Sequence, residues 1–380
     1  MRDKPDLSIL IPVYRMSHVL PSLLSSLNNV RSANVEVIVV VDEPQPEIFD
    51  LKSRFKNIKF IVNGNRQGKA NALNRALREA KANNILFLDS DVMIKSDPDV
   101  FMSSTLEALK HHDIVEYKEI TRYDGSLRSR LIRLDDVMYS FSYSLFSKLT
   151  GKCFALSGAA FATKRSVLEE LGGFQRVIQE DIDLGTRAFL KNKSFTILKD
   201  LEVSVEPPNS WRSWIEQRKR WFMGYGAWFR RYFPHILKAF VQNPKMLLPV
   251  VVLALILSLP TIFSIVMVPS IISGVALAQL FKNIYMPFTG DLSNMLKYLL
   301  SLRIGNETLD TLTCTLRIII CYLLYSAIFS IICKSFDVDF SLKCFLPYAT
   351  VYTITTFILL VVFLVKGVIV GDRSLPDWKI

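Results

Sequence analysis

Cysteine is scarce in this 380-residue chain. None of Cys153, Cys314, Cys321, Cys333 and Cys344 stands in a Cys-x-x-Cys pair. That spacing excludes a zinc-finger framework and offers no disulfide pattern, so the thiols read as reduced core residues. Nothing matches a helix-turn-helix, zinc-finger or RNP signature, which removes the usual grounds for expecting a nucleic-acid partner. A secretory leader is missing as well: Met1 is followed by Asp3, Lys4, Pro5 and Asp6 and then by a strand, not by an apolar leader. The amino-terminal domain is therefore expected to stay in the cytosol.

Half of the residues are hydrophobic, but they are unevenly spread. Through His235 the chain has 35 Lys and Arg against 28 Asp and Glu; beyond it the figures fall to 11 and 7, among long apolar runs. The first part reads as a basic globular domain and the second as membrane spans. A basic surface beside apolar spans suits anionic lipid headgroups and nucleoside diphosphates.

Within the first part, apolar runs at Leu7 to Val13, Val35 to Val41, Ile58 to Val62 and Ile85 to Leu88 alternate with helical segments. Strand and helix in alternation imply right-handed βαβ units, hence an α/β domain with a doubly wound, mainly parallel sheet. Ligands of such sheets bind beyond the carboxyl ends of the strands. There the sequence places Asp42 after the second run and Asp89-Ser90-Asp91 after the fourth. Two hard oxygen donors with no neighbouring His or Cys suit Mg²⁺ or Mn²⁺, which would bridge to a diphosphate. Taken alone, Asp-x-Asp is equally a capped strand end, and Asp42 a turn residue before Glu43-Pro44. Lys69 follows Gly68 at a helix start, where backbone N–H groups and an ammonium both favour phosphate, although a solvated surface lysine has the same pattern.

Residues 111 to 150 show no clear periodicity. After them, Ser157-Gly158-Ala159-Ala160 offers small residues that let backbone approach a ligand. Gln179-Glu180-Asp181-Ile182-Asp183 opens a helix with three carboxylates, which either answer the helix dipole or supply a general base. Ser210 to Phe233 sets Trp211, Trp214, Phe222, Tyr225, Phe229 and Tyr232 at helical spacing among arginines and lysines. Such a basic, aromatic-rich amphipathic helix before apolar spans belongs in the bilayer interface.

Asp42, Asp89-Ser90-Asp91, Gln179-Glu180-Asp181 and Gln217-Arg218-Lys219-Arg220-Trp221, in this order, resemble the family 2 glycosyltransferases. The resemblance runs over residues 7 to 235 and is strongest to the membrane-embedded processive branch of hyaluronan, chitin and cellulose synthases. It implies a glycosyltransferase A-type domain that binds a UDP-sugar. Asp42 would meet the uridine, and Lys69 would lie near the nucleotide. Asp89 and Asp91 would hold the diphosphate and its metal, Asp91 more directly. Gln217 and Arg220 would contact the diphosphate, Asp181 would deprotonate the acceptor, and Ser157, Gly158, Glu180 and Trp221 would face the acceptor sugar. The reaction implied is an inverting displacement onto a growing glycan. A single transfer to a polyprenyl phosphate or other lipid is the alternative, and an inactive membrane scaffold a third. Three features depart from the pattern. Related synthases usually carry membrane helices ahead of the catalytic domain, whereas none precedes Leu7 here, which weighs against a full polymer channel. Gln179 stands where cellulose synthases have Thr, and Pro44 follows Asp42-Glu43.

The chain thus divides into a catalytic domain over 1–209, an interfacial region over 210–245 and a transmembrane region over 246–380, with membrane lipids as partners and a multi-pass plasma-membrane location. Met246 to Leu280 is long for one span of roughly 20 residues and short for two. Ile318 to Cys333 and Leu346 to Val365 are clearer spans. Counting four crossings puts Lys282, Lys297, Arg303, Arg317, Lys366, Arg373 and Lys379 on the cytosolic side and only Lys334 and Lys343 outside, in keeping with the positive-inside tendency; three crossings reverse it. An apolar stripe through Leu292, Met295, Leu296, Leu299 and Leu302 predicts a short interfacial helix near 291–304.

Overall fold

A computed structural model describes residues 4–248, 250–251 and 307–371. They fall into two compact units, one of residues 1–251 with 358–380 and the other of residues 252–357. The first unit is built on one eight-stranded sheet of order β3-β2-β1-β4-β7-β6-β8-β5. Its strands are β1 (Leu7–Tyr14), β2 (Val35–Asp42), β3 (Lys59–Asn63), β4 (Asn84–Leu88), β5 (Val92–Ile94), β6 (Ile114–Thr121), β7 (Ala160–Lys164) and β8 (Phe195–Val205). The four runs seen in the sequence are β1 to β4, all parallel. Beyond them the expected mainly parallel sheet gives way to a mixed one: β7 runs antiparallel to β4 and β6, and β5 antiparallel to β8, while β6 and β8 are parallel. The strands that run against their neighbours, β5 and β7, have only three and five residues, and they take their places by packing at the edge and in the middle of the sheet, not through helical crossovers between parallel neighbours.

Alternate residues of the central strands feed two cores. Ile9, Ile11, Val39 and Val41 pack on one face with α1 (Leu20–Asn28), α2 (Pro46–Arg54) and α4 (Pro98–His111), while Leu10, Ile38 and Val40 pack on the other with α3 (Lys69–Glu79), α6 (Arg165–Leu171) and α7 (Glu180–Leu190). Strands covered on both sides are apolar throughout, which is why they show as unbroken runs in the sequence. The stretch without clear periodicity contains β6 and the long helix α5 (Leu127–Thr150). Helix α8 (Trp211–Gln242) begins at a capping box, where the Ser210 side chain accepts from Ser213 N and the Ser213 side chain from Ser210 N. It runs 32 residues, past Pro234 and well beyond Phe233.

In the second unit, α9 (Glu307–Lys334) and the start of the following helix meet through a cluster of rings, with the Phe329 and Phe345 centroids 5.0 Å apart. Among the described residues one helix, α10 (Leu342–Val370), is long and apolar enough to cross a membrane. Of the expected spans, Leu346 to Val365 lies in α10, and Ile318 to Cys333 lies in α9, where Tyr322–Lys334 is a shorter apolar stretch. Most of the Met246 to Leu280 run and the helix expected near 291–304 lie outside the described residues.

Candidate active site

Register decides what meets at the carboxyl edge of the sheet. Tyr14 pairs with Asp42 and Asp42 with Asn63, so the ends of β1, β2 and β3 lie level. Asp42 is 4 % exposed. One of its carboxylate oxygens accepts from Asn63 Nδ2 at 2.7 Å, and the other from Gln67 N at 2.8 Å and Gly68 N at 2.9 Å. The carboxylate thereby shapes the loop that leads into α3, where Gly68 turns with φ +92°. Beside it the Arg66 guanidinium lies over the Tyr14 ring at 4.4 Å, and the Tyr14 hydroxyl donates to Glu43 at 3.0 Å. Arg15 and Glu43 both hold left-handed backbone, at φ 60° and 48°. Strain of this kind gathers at functional loops. Tyr14 and Arg66 were not picked out by sequence; Tyr14 carried the same signal as Asp42, a polar group closing a buried strand.

Lys69, the first residue of α3, is the electrostatic centre. Its ammonium lies 2.8 Å from Asp89 Oδ1, 2.9 Å from Asp89 Oδ2 and 3.2 Å from Glu180 Oε1, and it donates to the Gly158 carbonyl at 3.2 Å. Burial works against its charge, but Asp89, Glu180 and Asp181 outweigh burial and hold the pKa above the ordinary lysine value. Burial, opposed by Lys69, pushes Asp89 up to about 7. Asp181 is pushed up to about 6, first by burial and then by Glu180. A surface lysine on a solvated helix would have none of these neighbours.

The segment before β7 completes the cluster. Because Leu88 pairs with Ala160, Asp89 N donates to the Ala159 carbonyl at 2.8 Å and Gly158 is brought against Asp181. A Cβ on Gly158 would overlap Asp181 Oδ2. Ser157 donates through its N–H to Glu116 and through its hydroxyl to Glu119, two β6 carboxylates that the sequence did not single out. Pro12, Leu73, Phe87, Phe161 and Phe174 wall the small cavity that Lys69, Asp89, Gly158, Glu180 and Asp181 share.

Asp91 faces elsewhere. It is exposed and lines an open cleft of about 520 Å³ with Glu206, Asn209, Ser213, Glu216, Gln217 and Arg220. Gln217 and Arg220 reach the cleft together because residues three apart share a helix face. Arg218, 1 % exposed, turns inward to Asp135 at 2.8 Å and lies over the half-buried Trp221 ring at 4.3 Å. The donor set can be tested against a divalent ion. Both Asp89 oxygens already face the Lys69 ammonium, whereas Asp91 offers a hard carboxylate to the cleft. Among the described residues no cluster of three or more His, Cys, Asp or Glu could enclose a metal. Asp91 is thus the residue that would hold Mg²⁺ or Mn²⁺ beside a bound diphosphate, whereas Asp89, expected next to it, is engaged by Lys69.

Helix α7, which carries Glu180 and Asp181, is locked to α8. Asp183, 2 % exposed, accepts from Arg187 Nε at 2.7 Å, Arg231 Nη1 at 3.0 Å and Tyr232 Oη at 2.7 Å. Trp228 Nε1 donates to Thr186 Oγ1 at 2.7 Å.

Known proteins resemble this chain to different extents. A probable glucomannan 4-beta-mannosyltransferase of Oryza sativa subsp. japonica is 26 % identical over 246 residues, 60 % of this chain and 46 % of the relative. The probable glycosyltransferase YdaM of Bacillus subtilis is 23 % identical over 235 residues, 59 % of this chain and 56 % of that one. The chain thus spans about half the length of these relatives. In fold it resembles a mannosyltransferase from Pyrobaculum calidifontis solved with GDP-Man and Mn²⁺, with a TM-score of 0.53 and 17 % identity over 85 % of this chain and 87 % of that one. The profile of the family described as "Glycosyltransferase like family 2" matches residues 5–224. That match takes in the whole sheet, the Lys69 cluster and the start of α8, and on it the chain belongs to the family 2 glycosyltransferases.

Proposed function

We propose that the chain transfers a sugar from a nucleotide-sugar donor, a UDP-sugar on its motifs, to a glycan acceptor at the cytosolic face of a membrane, by direct displacement with inversion. The observation that carries this reading is that one short turn serves two carboxylate sites: Asp89 in the enclosed Lys69 cluster that holds Asp181, and Asp91 in the open cleft with Gln217 and Arg220.

In this reading the diphosphate lies in the cleft, where Arg220 and Gln217 donate hydrogen bonds to its oxygens. A divalent ion on Asp91 would neutralise the leaving diphosphate when bound. Asp42 fixes the loop before α3, so that the Tyr14 and Arg66 surface can receive the base. Lys69 keeps Asp89 and Glu180 in place and lends positive charge to the centre. Asp181 takes the proton of the acceptor hydroxyl; a pKa of about 6 keeps most of it ionised at neutral pH while leaving it basic enough to act. Trp221, whose ring lies against the Arg218 guanidinium, is the residue to stack on an acceptor sugar in this reading.

Two finer points belong to the same reading. The mannosyltransferase names of the relatives favour GDP-mannose as a second donor to try. Integration in the membrane is supported by α10 and by the exposed Phe229, Phe233, Leu237 and Val241 on α8. The test is to incubate the full chain in lipid with radiolabelled UDP-sugars and GDP-mannose and to size the product. Labelled polymer is the expected result. A product that stops at one sugar on a lipid would replace the polymer reading by single transfer, and no transfer from any nucleotide sugar would refute both.

A further inference from the structure

We infer that Glu116 and Glu119 are positioning residues for the transfer, gripping Ser157 so that the Ser157–Gly158 backbone forms the wall against which Asp181 is aimed. The inference rests on the reading of Asp181 as the base. Glu116 is 2 % exposed and accepts from Ser157 N; Glu119 accepts from Ser157 Oγ. Residues three apart on a regular strand point to opposite faces. Here an irregularity in the β6 to β8 pairing falls between Tyr117 and Lys118, between the two glutamates, and both side chains reach one serine. Buried carboxylates are costly unless hydrogen-bonded, so this pairing holds the serine and the glutamates in one arrangement.

On its far side the same segment is also fastened. The Gly158 carbonyl accepts from Lys69 Nζ at 3.2 Å and the Ala159 carbonyl from Asp89 N at 2.8 Å. Three consecutive residues are thus held at four points, between β6 on one hand and the Lys69 cluster on the other. No slack is left toward Asp181, since even a methyl group on Gly158 would overlap its Oδ2. Releasing Ser157 frees the wall to move, and Asp181 with it. Burial pushes Glu119 up to about 8 and Glu116 well above the usual carboxylate range, so the neutral amide of Gln is a close stand-in for either.

The test uses the full chain in lipid with whichever of the UDP-sugars or GDP-mannose supports transfer, and measures kcat, donor KM and thermal midpoint. Glu119→Ala and Ser157→Ala remove the same hydrogen bond from opposite ends, and each should lower kcat by about tenfold or more with donor KM within about twofold. Glu119→Gln and Glu116→Gln should restore kcat to near the wild-type value. In an Asp181→Asn background, Glu119→Ala should cost nothing further, because the group it aims is gone. Equal losses in both backgrounds, or a wild-type kcat for Ser157→Ala, would overturn the inference even if Glu119→Ala fails to fold. If Asp181→Asn is impaired and Glu119→Ala is not, this inference fails alone; if Asp181→Asn turns over like wild type, the base reading and this inference fall together.

Discussion

Gly158 and Asp181 are so close that the smallest possible addition, a methyl group, has to displace the carboxylate, yet the displaced atom is only the tip of a side chain. Gly158→Ala should therefore cost little stability, about 1 kcal/mol or less, while lowering kcat by about 10- to 100-fold. Comparing the urea midpoint with turnover separates the two effects. The same carboxylate sets the acid side of the pH profile. Asp181 must be ionised to accept a proton, so turnover should fall as pH drops through about 6. Asp181→Asn should bind nucleotide nearly normally, lose about 10²-fold in turnover and lose that acid limb. A variant with wild-type turnover would leave Asp181 as a helix-start residue, its Oδ1 accepting from Ile182 N. Asp91 and Asp89 should also part company. Chelation with EDTA should abolish nucleotide release, and Asp91→Asn should weaken metal-dependent nucleotide binding, measured by titration with and without Mn²⁺. Asp89→Asn should instead disturb Lys69, the group that both of its oxygens face.

Helices α7 and α8 carry the two halves of the proposed chemistry, and their joint is Asp183. Removing it leaves the guanidinium groups of Arg187 and Arg231 and the Tyr232 hydroxyl without the carboxylate they share. Asp183→Ala should cost about 3 kcal/mol, the scale for breaking a buried ion pair, whereas Tyr232→Phe should cost about 1 kcal/mol. Chemical denaturation of the two variants checks the ratio. Much at this scale was legible in advance. β1 to β4 announced themselves as apolar runs because both of their faces are covered. The antiparallel half of the sheet was not legible. β5 has three residues and β7 five, and their neighbours are chosen by tertiary packing. Glu116 and Glu119 were hidden for a related reason: a carboxylate within a strand looks like its solvent-facing residue, and only the distant Ser157 shows otherwise. In α5 the apolar stripe is diluted by Arg, Ser and Tyr, and the helix went unseen although its Ser126 cap lies in plain sequence. Among the site residues, Asp42 and Lys69 stood where strand ends and helix starts put them, but their partners could not be read from order alone.

At the scale of the whole chain, α10 and the apolar residues exposed on α8 should keep the protein with the membrane. Alkaline carbonate washing of a membrane fraction should leave it in the pellet, and release by salt alone would argue for a peripheral attachment through the basic surface. The helix that makes this expectation is not a separate appendage. Residues 358–371 belong to the same compact unit as the sheet, and at two glycines the contact is made backbone to backbone. A Cβ on Gly226 would overlap the Leu364 carbonyl, one on Gly367 would overlap that of Met223, and Arg230 donates to the Ile369 carbonyl at 3.1 Å. For protein engineering this redraws the cutting line. A fragment trimmed after residue 251 looks from its sequence like a clean catalytic half, but it leaves a furrow open at Gly226 on the helix that bears Gln217 and Arg220, and the backbone from Leu364 to Ile369 is what fills it.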